Sequence, residues 1–155
     1  MAEGDYPELG QWTSSWCGCF EDMPSCCLVL WCPCVAVGRV ANIVDAGKNE
    51  AEEICIFWCI TEWLLCGCIV SREYRETLRA RYGLPEKPCG DLWMHWCCPL
   101  CAVSQEYREL KSRGWDLSID FRENKNRTPP PQQFMEKAQP SASHASAEVV
   151  TTGDT

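Results

Sequence analysis

At 155 residues the chain is long enough for one domain and a tail. Its 22 Asp and Glu outweigh 14 Lys and Arg, and the resulting net charge of −8 gives no electrostatic reason to expect nucleic-acid binding, which needs a basic face. Fourteen Cys and eight Trp exceed ordinary usage. Because 46% hydrophobic residues coexist with a mean hydropathy of only −0.26, the apolar content must be concentrated in part of the chain.

Residues 1–23 form an acidic segment with Glu3, Asp5, Glu8, Glu21 and Asp22 and no Lys or Arg. The opening MAEGDYPELGQW has no basic n-region and no apolar h-region, so it does not read as a secretory signal peptide. A disulfide framework then loses its usual support, and clustered reduced thiols point to metal ligation. A few of the 14 cysteines can serve as small core hydrophobes, but that does not explain their arrangement as CxC, CC and CxxC.

The first apolar block, CCLVLWCPCVAVG, is interrupted by Pro33 and closed by Arg39, and the hydrophobic segment it opens runs over 26–44. A turn at Gly47 and an acidic loop lead to the second segment, 54–70, ICIFWCITEWLLCGCIV. SREYRETLRARYG then predicts a basic amphipathic helix ending at Gly83, with Pro85 just beyond as a stop. Asp91 is placed to cap a further helix that ends at Gly114 and is broken or kinked at Pro99. The cysteine-rich domain spans 24–121, and residues 122–155, rich in Pro, Ser, Ala and Thr, predict a disordered tail. No long internal repeat is present, although Cys-Pro recurs at Cys32 and Cys98.

A membrane-spanning helix needs about 20 mostly apolar residues. The second segment reaches 17 only by including Glu62, and the first contains a proline, so it reads as re-entrant or interfacial as readily as a span. Arg72, Arg75, Arg79 and Arg81 follow the second segment, whereas the loop between the segments is acidic. The positive-inside rule therefore puts the following helix in the cytoplasm and, with two crossings, the N-terminus as well. The Trp residues cluster around the apolar blocks, which suits either a membrane interface belt or an aromatic core. A soluble helical domain with the two apolar segments as its core is the alternative.

Three cysteine groups carry the candidate chemistry. The first is Cys17, Cys19, Cys26, Cys27, Cys32 and Cys34, and the third is Cys89 with His95, Cys97, Cys98 and Cys101. Thiolates select zinc, cadmium-like metals, copper(I) or iron–sulfur clusters, and tetrahedral zinc sites are commonly built from short Cys or His pairs. Core packing and disulfides are the competing readings of these groups. A redox reading of Cys98-x-x-Cys101 is disfavoured by the absence of a preceding strand. The second group is Cys55, Cys59, Cys66 and Cys68. Cys55 and Cys59, four apart, share a helix face, and with Glu62 and Cys66 they form a candidate cation route in an oligomer, because a carboxylate within a membrane usually faces an interior path. Glu62 at a simple helix contact is the plainer reading. Neither a nucleophile elbow nor a phosphate-binding loop is present, and no enzyme is expected.

CCLVLWCPC at 26–34, followed by VAVGRVANIVDAG and later by RARYGLP and CCPLCAVSQEYREL, resembles the cysteine-rich family named for placenta-specific gene eight. The likeness is to its plant branch, the plant cadmium resistance proteins and the cell number regulators related to the tomato fruit-weight protein, and it covers roughly Trp12 to Phe121. The motif residues are Cys26, Cys27, Cys32, Pro33 and Cys34, and later Cys98, Cys101, Gln105 and Glu106. Leu30 stands where a further cysteine is frequent and Arg39 where Gln is frequent, and the cation at Arg39 favours an interfacial first segment.

The resemblance implies a plasma-membrane protein that works as a homo-oligomer and exports zinc or cadmium. Its alternative is a cell number regulator that limits cell division and organ size without transport. The expected architecture is accordingly mostly α: a small cysteine-rich, membrane-associated helical domain with one or two hydrophobic segments and a disordered C-terminal tail. The expected partners are a divalent metal ion, membrane lipid and further copies of the chain, with both termini cytoplasmic.

Overall fold

The computed structural model describes residues 7–64, 66–128 and 131–132. After a short 3-10 turn at Cys19–Glu21 come seven helices: α1 (Met23–Trp31), α2 (Pro33–Val44), α3 (Ala51–Trp63), α4 (Gly67–Tyr82), α5 (Asp91–Cys97), α6 (Pro99–Ser112) and α7 (Phe121–Lys125). Among the described residues there is no strand, so the mostly helical expectation holds.

The two Cys-Pro steps are the same structural device. Cys32 has φ −137° and ψ 62°, and Cys98 has φ −146° and ψ 79°. The residue before a proline is pushed out of the helical region, so each helix stops there. The Cys N–H still closes onto the carbonyl four residues back, Cys32 to Leu28 at 2.8 Å and Cys98 to Met94 at 3.1 Å. The proline, which has no N–H to leave unpaired, then opens the next helix. Asp22 caps α1, its carboxylate accepting from the Ser25 hydroxyl at 2.6 Å.

α2 is the central helix. Ala36, Val37, Val40, Ala41, Ile43 and Val44 are all buried, against α1, α3, α4 and α6. It forms an antiparallel hairpin with α3 through the 45–50 loop, and the two approach most closely at Gly38. A Cβ there would collide with the Ala51 carbonyl oxygen and come within 3.3 Å of the Cys55 nitrogen. Asn42 ties α2 to the start of α7: its side chain donates to Asp120 at 2.8 Å and accepts from the Phe121 N–H at 2.9 Å.

The second apolar segment is divided. α3 ends at Trp63, the Cys66 N–H closes onto the Thr61 carbonyl at 2.9 Å, and α4 starts at Gly67. The Glu62 side chain folds back over Gly67, its carboxylate lying where a Cβ on residue 67 would sit. Trp58 holds the two arms together, its indole N–H donating to the Ser71 hydroxyl at 2.7 Å. In the first segment α1 and α2 are bent by 113°. No single described helix is long and apolar enough to cross a membrane; α1 and α2 reach that length and composition only as a bent pair.

The basic helix expected to follow is α4, closed by Gly83 in the left-handed region (φ 67°). Two of its arginines, Arg75 and Arg79, are not the solvated charges that the positive-inside argument counted, whereas Arg72 is partly exposed beside Glu76. Arg75 is fully buried, bonded to Asp91 (3.1 Å), Glu106 (3.2 Å) and Gln105 (2.8 Å), and its guanidinium stacks over Trp12. Arg79 also pairs with Asp91, at 2.6 Å. Asp91 therefore serves as the counter-ion of two arginines, while Gly90 occupies the helix cap.

The described part of the acidic N-terminal segment packs along α6. Thr13 and Ser14 donate to Glu109, which also holds Arg113 at 2.7 Å, with both side chains of that pair sealed from solvent. Residues at the edge of the compositional tail are packed as well. Asn124 is buried and donates to the Asp116 carbonyl at 2.8 Å, and Gln132 receives Arg113 at 2.6 Å. Residues 129–130 and 133–155 of the expected tail lie outside the described residues, as do residues 1–6.

Candidate metal centre

Three thiols converge between α2 and α3. Cys34 lies in the first turn of α2, and Cys55 and Cys59 lie one turn apart on the face of α3 turned toward it. Their sulfurs are all within 4.8 Å of one another, and all three residues are partly buried. The register follows from the hairpin. Gly38 meets the start of α3, so one turn back along α2 and one turn on along α3 the chain brings Cys34 to Cys55 and Cys59.

A zinc ion with Zn–S bonds of about 2.3 Å needs sulfurs roughly 3.8 Å apart in tetrahedral geometry. The trio therefore needs only slight contraction to grip such an ion. Among the described residues no fourth ligand joins the group, so three thiolates would leave the fourth position open, as an exchangeable site requires and a closed staple does not. Burial pushes the Cys55 thiol up to about 12, reinforced by Cys34 and then Cys59, and burial followed by Cys34 raises Cys59 as well. Crowded thiols in a partly desolvated seam hold their protons until a cation compensates the charge.

The other candidate ligands do not assemble in this way. Cys17, Cys27, Cys32 and Cys97 are exposed and Cys26 is half-buried, and none belongs to a group of three ligands among the described residues. The side chain of Cys19 lies outside the described residues. Cys98 and Cys101 are joined as a disulfide, with Cα atoms 5.4 Å apart, and in that form offer no thiolate to an ion. His95 is buried and belongs to no group of three ligands among the described residues: its Nε2 bonds Glu106 at 2.9 Å, on the carboxylate that also holds Arg75. The expected route of Cys55, Cys59, Glu62 and Cys66 is also broken. The first two face α2, whereas Cys66 lies beyond the end of α3 and is exposed, its thiol donating to the Leu64 carbonyl at 3.3 Å.

Grouping Cys34 with the α3 thiols was within reach of the sequence. Cys34 and Gly38 are four apart, as are Cys55 and Cys59, and the short loop between the segments implies an antiparallel hairpin. The buried network of Arg75, Asp91, Gln105 and Glu106 carried no such signal, since charged residues on a helix ordinarily read as its solvated face.

Residues 12–109, spanning all three converging thiols and most of the buried ion network, match the PLAC8 family. The chain belongs to the PLAC8 family. Plant cadmium resistance protein 2 of Arabidopsis thaliana is 40% identical over 119 residues, 76% of this chain and 78% of that protein. Cell number regulator 10 of Zea mays is 42% identical over 126 residues, 81% of this chain and 80% of that one. Plant cadmium resistance protein 1 of Arabidopsis thaliana is 38% identical over 116 residues, 74% and 77% of the two chains. No solved structure matches this PLAC8 member.

Proposed function

We propose that this PLAC8 member binds zinc or cadmium at Cys34, Cys55 and Cys59 while resting on the plasma membrane, and passes the ion on for export, so conferring tolerance to the metal. The observation that carries the reading is the convergence of three partly buried sulfurs within 4.8 Å. The name of the Arabidopsis relatives, plant cadmium resistance, is consistent with it.

The membrane half rests on one apolar pole. Trp31 ends α1, Trp63 ends α3 and Ile69 lies near the start of α4, so the antiparallel hairpins put them at the same end, and all three are exposed. α6 runs antiparallel to α1, anchored by Lys111 to Asp22 at 2.6 Å, which carries Leu100 and the neighbouring Trp93 and Trp96 toward that end. Exposed Trp beside Ile and Leu suits the interfacial zone of a bilayer, with both termini on the cytoplasmic side. One copy encloses no route for an ion, so export is the work of a homo-oligomer. The role requires no bond-making chemistry.

Cadmium titration of the purified full chain, followed by cadmium–thiolate absorption, tests the site. One ion per chain with strong absorption is expected, and Cys34→Ser, Cys55→Ser or Cys59→Ser should each weaken binding by more than tenfold. Equal affinity in all three variants would remove the site. Expression in cadmium-sensitive yeast tests export, with lower cell cadmium as the expected result.

The second reading is a regulator of cell number that does not transport metal, favoured by the 42% identity to the Zea mays regulator. Unchanged cell cadmium in the same yeast assay, with cadmium binding intact, would decide for it.

A further inference from the structure

We propose that Cys98 and Cys101, at the head of α6, form a redox-active pair that exchanges with low-molecular-weight thiols and disulfides. Among the described cysteines this pair alone is bonded, while eleven others are free thiols. What sets the pair apart is local: it is the place where the backbone brings two thiols into bonding position.

Stabilisation by cross-linking is not that reason. A disulfide constrains the unfolded chain in proportion to the logarithm of the loop it closes. Here the sequence separation is 3, so the bond joins residues that the first turn of α6 already holds together. Its Cα atoms, 5.4 Å apart, sit at the usual disulfide spacing, and the backbone keeps the two sulfurs paired without help from the rest of the fold.

No strand precedes the pair among the described residues, so it is not a thioredoxin-like unit, and it is the position at the cap of α6 that supplies the reactivity. Cys98 is the cap of a 14-residue helix, Pro99 its first residue and Cys101 its third. The free N–H groups and dipole at that end favour a thiolate on either sulfur. The sister step at Cys32-Pro33-Cys34 has the same cap but a spacing one residue shorter, and there Cys34 is turned to the α3 thiols instead. Both Cys98 and Cys101 are partly accessible to a small reagent.

The exchange balances without metal. The Cys98 thiolate attacks one sulfur of a small disulfide, forming a mixed disulfide and releasing one small thiolate. The Cys101 thiolate then attacks the Cys98 sulfur, closing the Cys98–Cys101 bond and releasing the second. The protein dithiol loses two electrons and two protons, and the small disulfide becomes two thiols.

The test is a titration of the metal-free full chain, under native conditions, through glutathione buffers from reduced to oxidised. Each sample is acid-quenched and alkylated, and the state of every cysteine is read by mass spectrometry. A reversible, paired transition confined to Cys98 and Cys101 is expected, with Cys27 and Cys32 alkylated throughout. In Cys101→Ser, glutathione should be trapped on Cys98, which should react about tenfold faster than exposed Cys27, the gain of a thiolate at a helix N-terminus. A pair that resists reduction until the protein is denatured, or oxidises only alongside all other thiols, would overturn the proposal. The wild-type titration decides this even if the variant fails to fold, and it is independent of whether Cys34, Cys55 and Cys59 hold an ion.

Discussion

Arg75 of α4 and Asp91 of α5 meet in a 3.1 Å hydrogen bond with both side chains sealed from solvent. Charge removed from water is tolerated only when it is paired and fully hydrogen-bonded. Arg75 meets that condition with Asp91, Glu106 and Gln105, and Asp91 is shared with Arg79. Removing one partner from such a pair costs about 3–5 kcal/mol because the other charge is stranded. Asp91→Ala is therefore expected to destabilise the fold by that amount in chemical denaturation. Glu76→Ala, which removes an exposed i,i+4 partner of Arg72, should cost no more than about 0.5 kcal/mol. Similar losses for the two would show that the interior network contributes no more than a surface pair.

Gly38 sets the separation of α2 and α3, and through it the spacing of the three thiols. Gly38→Ala places a Cβ against the Ala51 carbonyl, so the helices must part. Overpacking of this kind costs about 1–3 kcal/mol. The expected outcome is a lower melting temperature together with at least tenfold weaker cadmium binding, even though no ligand has changed. Unaltered binding would mean that the hairpin contact does not position the sulfurs.

Binding at the thiol trio is expected to be strongly pH-dependent. Cys55 is held up to about 12 and Cys59 is raised as well, so at neutral pH an incoming ion must displace their protons. Apparent affinity should climb as pH rises from 6 to 8, with proton release approaching one per thiol in calorimetry across buffers of different ionisation heat. The metal-free protein should show the opposite trend in alkali. A thiol whose folded value lies above its ordinary value of 9.0 contributes stability present below that value and lost as pH rises toward about 12.

The apolar pole predicts interfacial partitioning. Replacing Trp31, Trp63 or Trp96 by Ser is expected to weaken sedimentation with anionic liposomes by about tenfold each, the loss of one large apolar side chain from the interface. Trp58→Phe should leave partitioning unchanged, because that indole is buried against Ser71, and should lower stability instead. Equal losses of partitioning for the exposed and buried tryptophans would argue against this pole as the docking surface.

Much of the helical layout was legible before any coordinates. Pro33 and Pro99 break the chain because proline lacks an N–H and restricts the residue before it, and Gly83 ends α4 because it adopts a left-handed conformation cheaply. Such effects act within one or two residues, so local sequence is enough to place them. The division of the second segment at Gly67 was less legible. The apolar run continues across it, and the closure of the Cys66 N–H onto the Thr61 carbonyl is a backbone contact that hydropathy does not encode.

What sequence alone determined is the inventory: mostly helix, a thiol-rich apolar half, a net negative charge, and PLAC8 kinship through its cysteine and QEYREL motifs. What only the tertiary structure decided is who meets whom. Cys34 joins Cys55 and Cys59 rather than its own neighbours, His95 turns to Glu106 rather than to sulfur, and Arg75 is buried rather than solvated. The physical reason is that a side chain's partner is set by which helix faces pack together. That choice is made by the summed burial of the core around α2, and no single motif carries it.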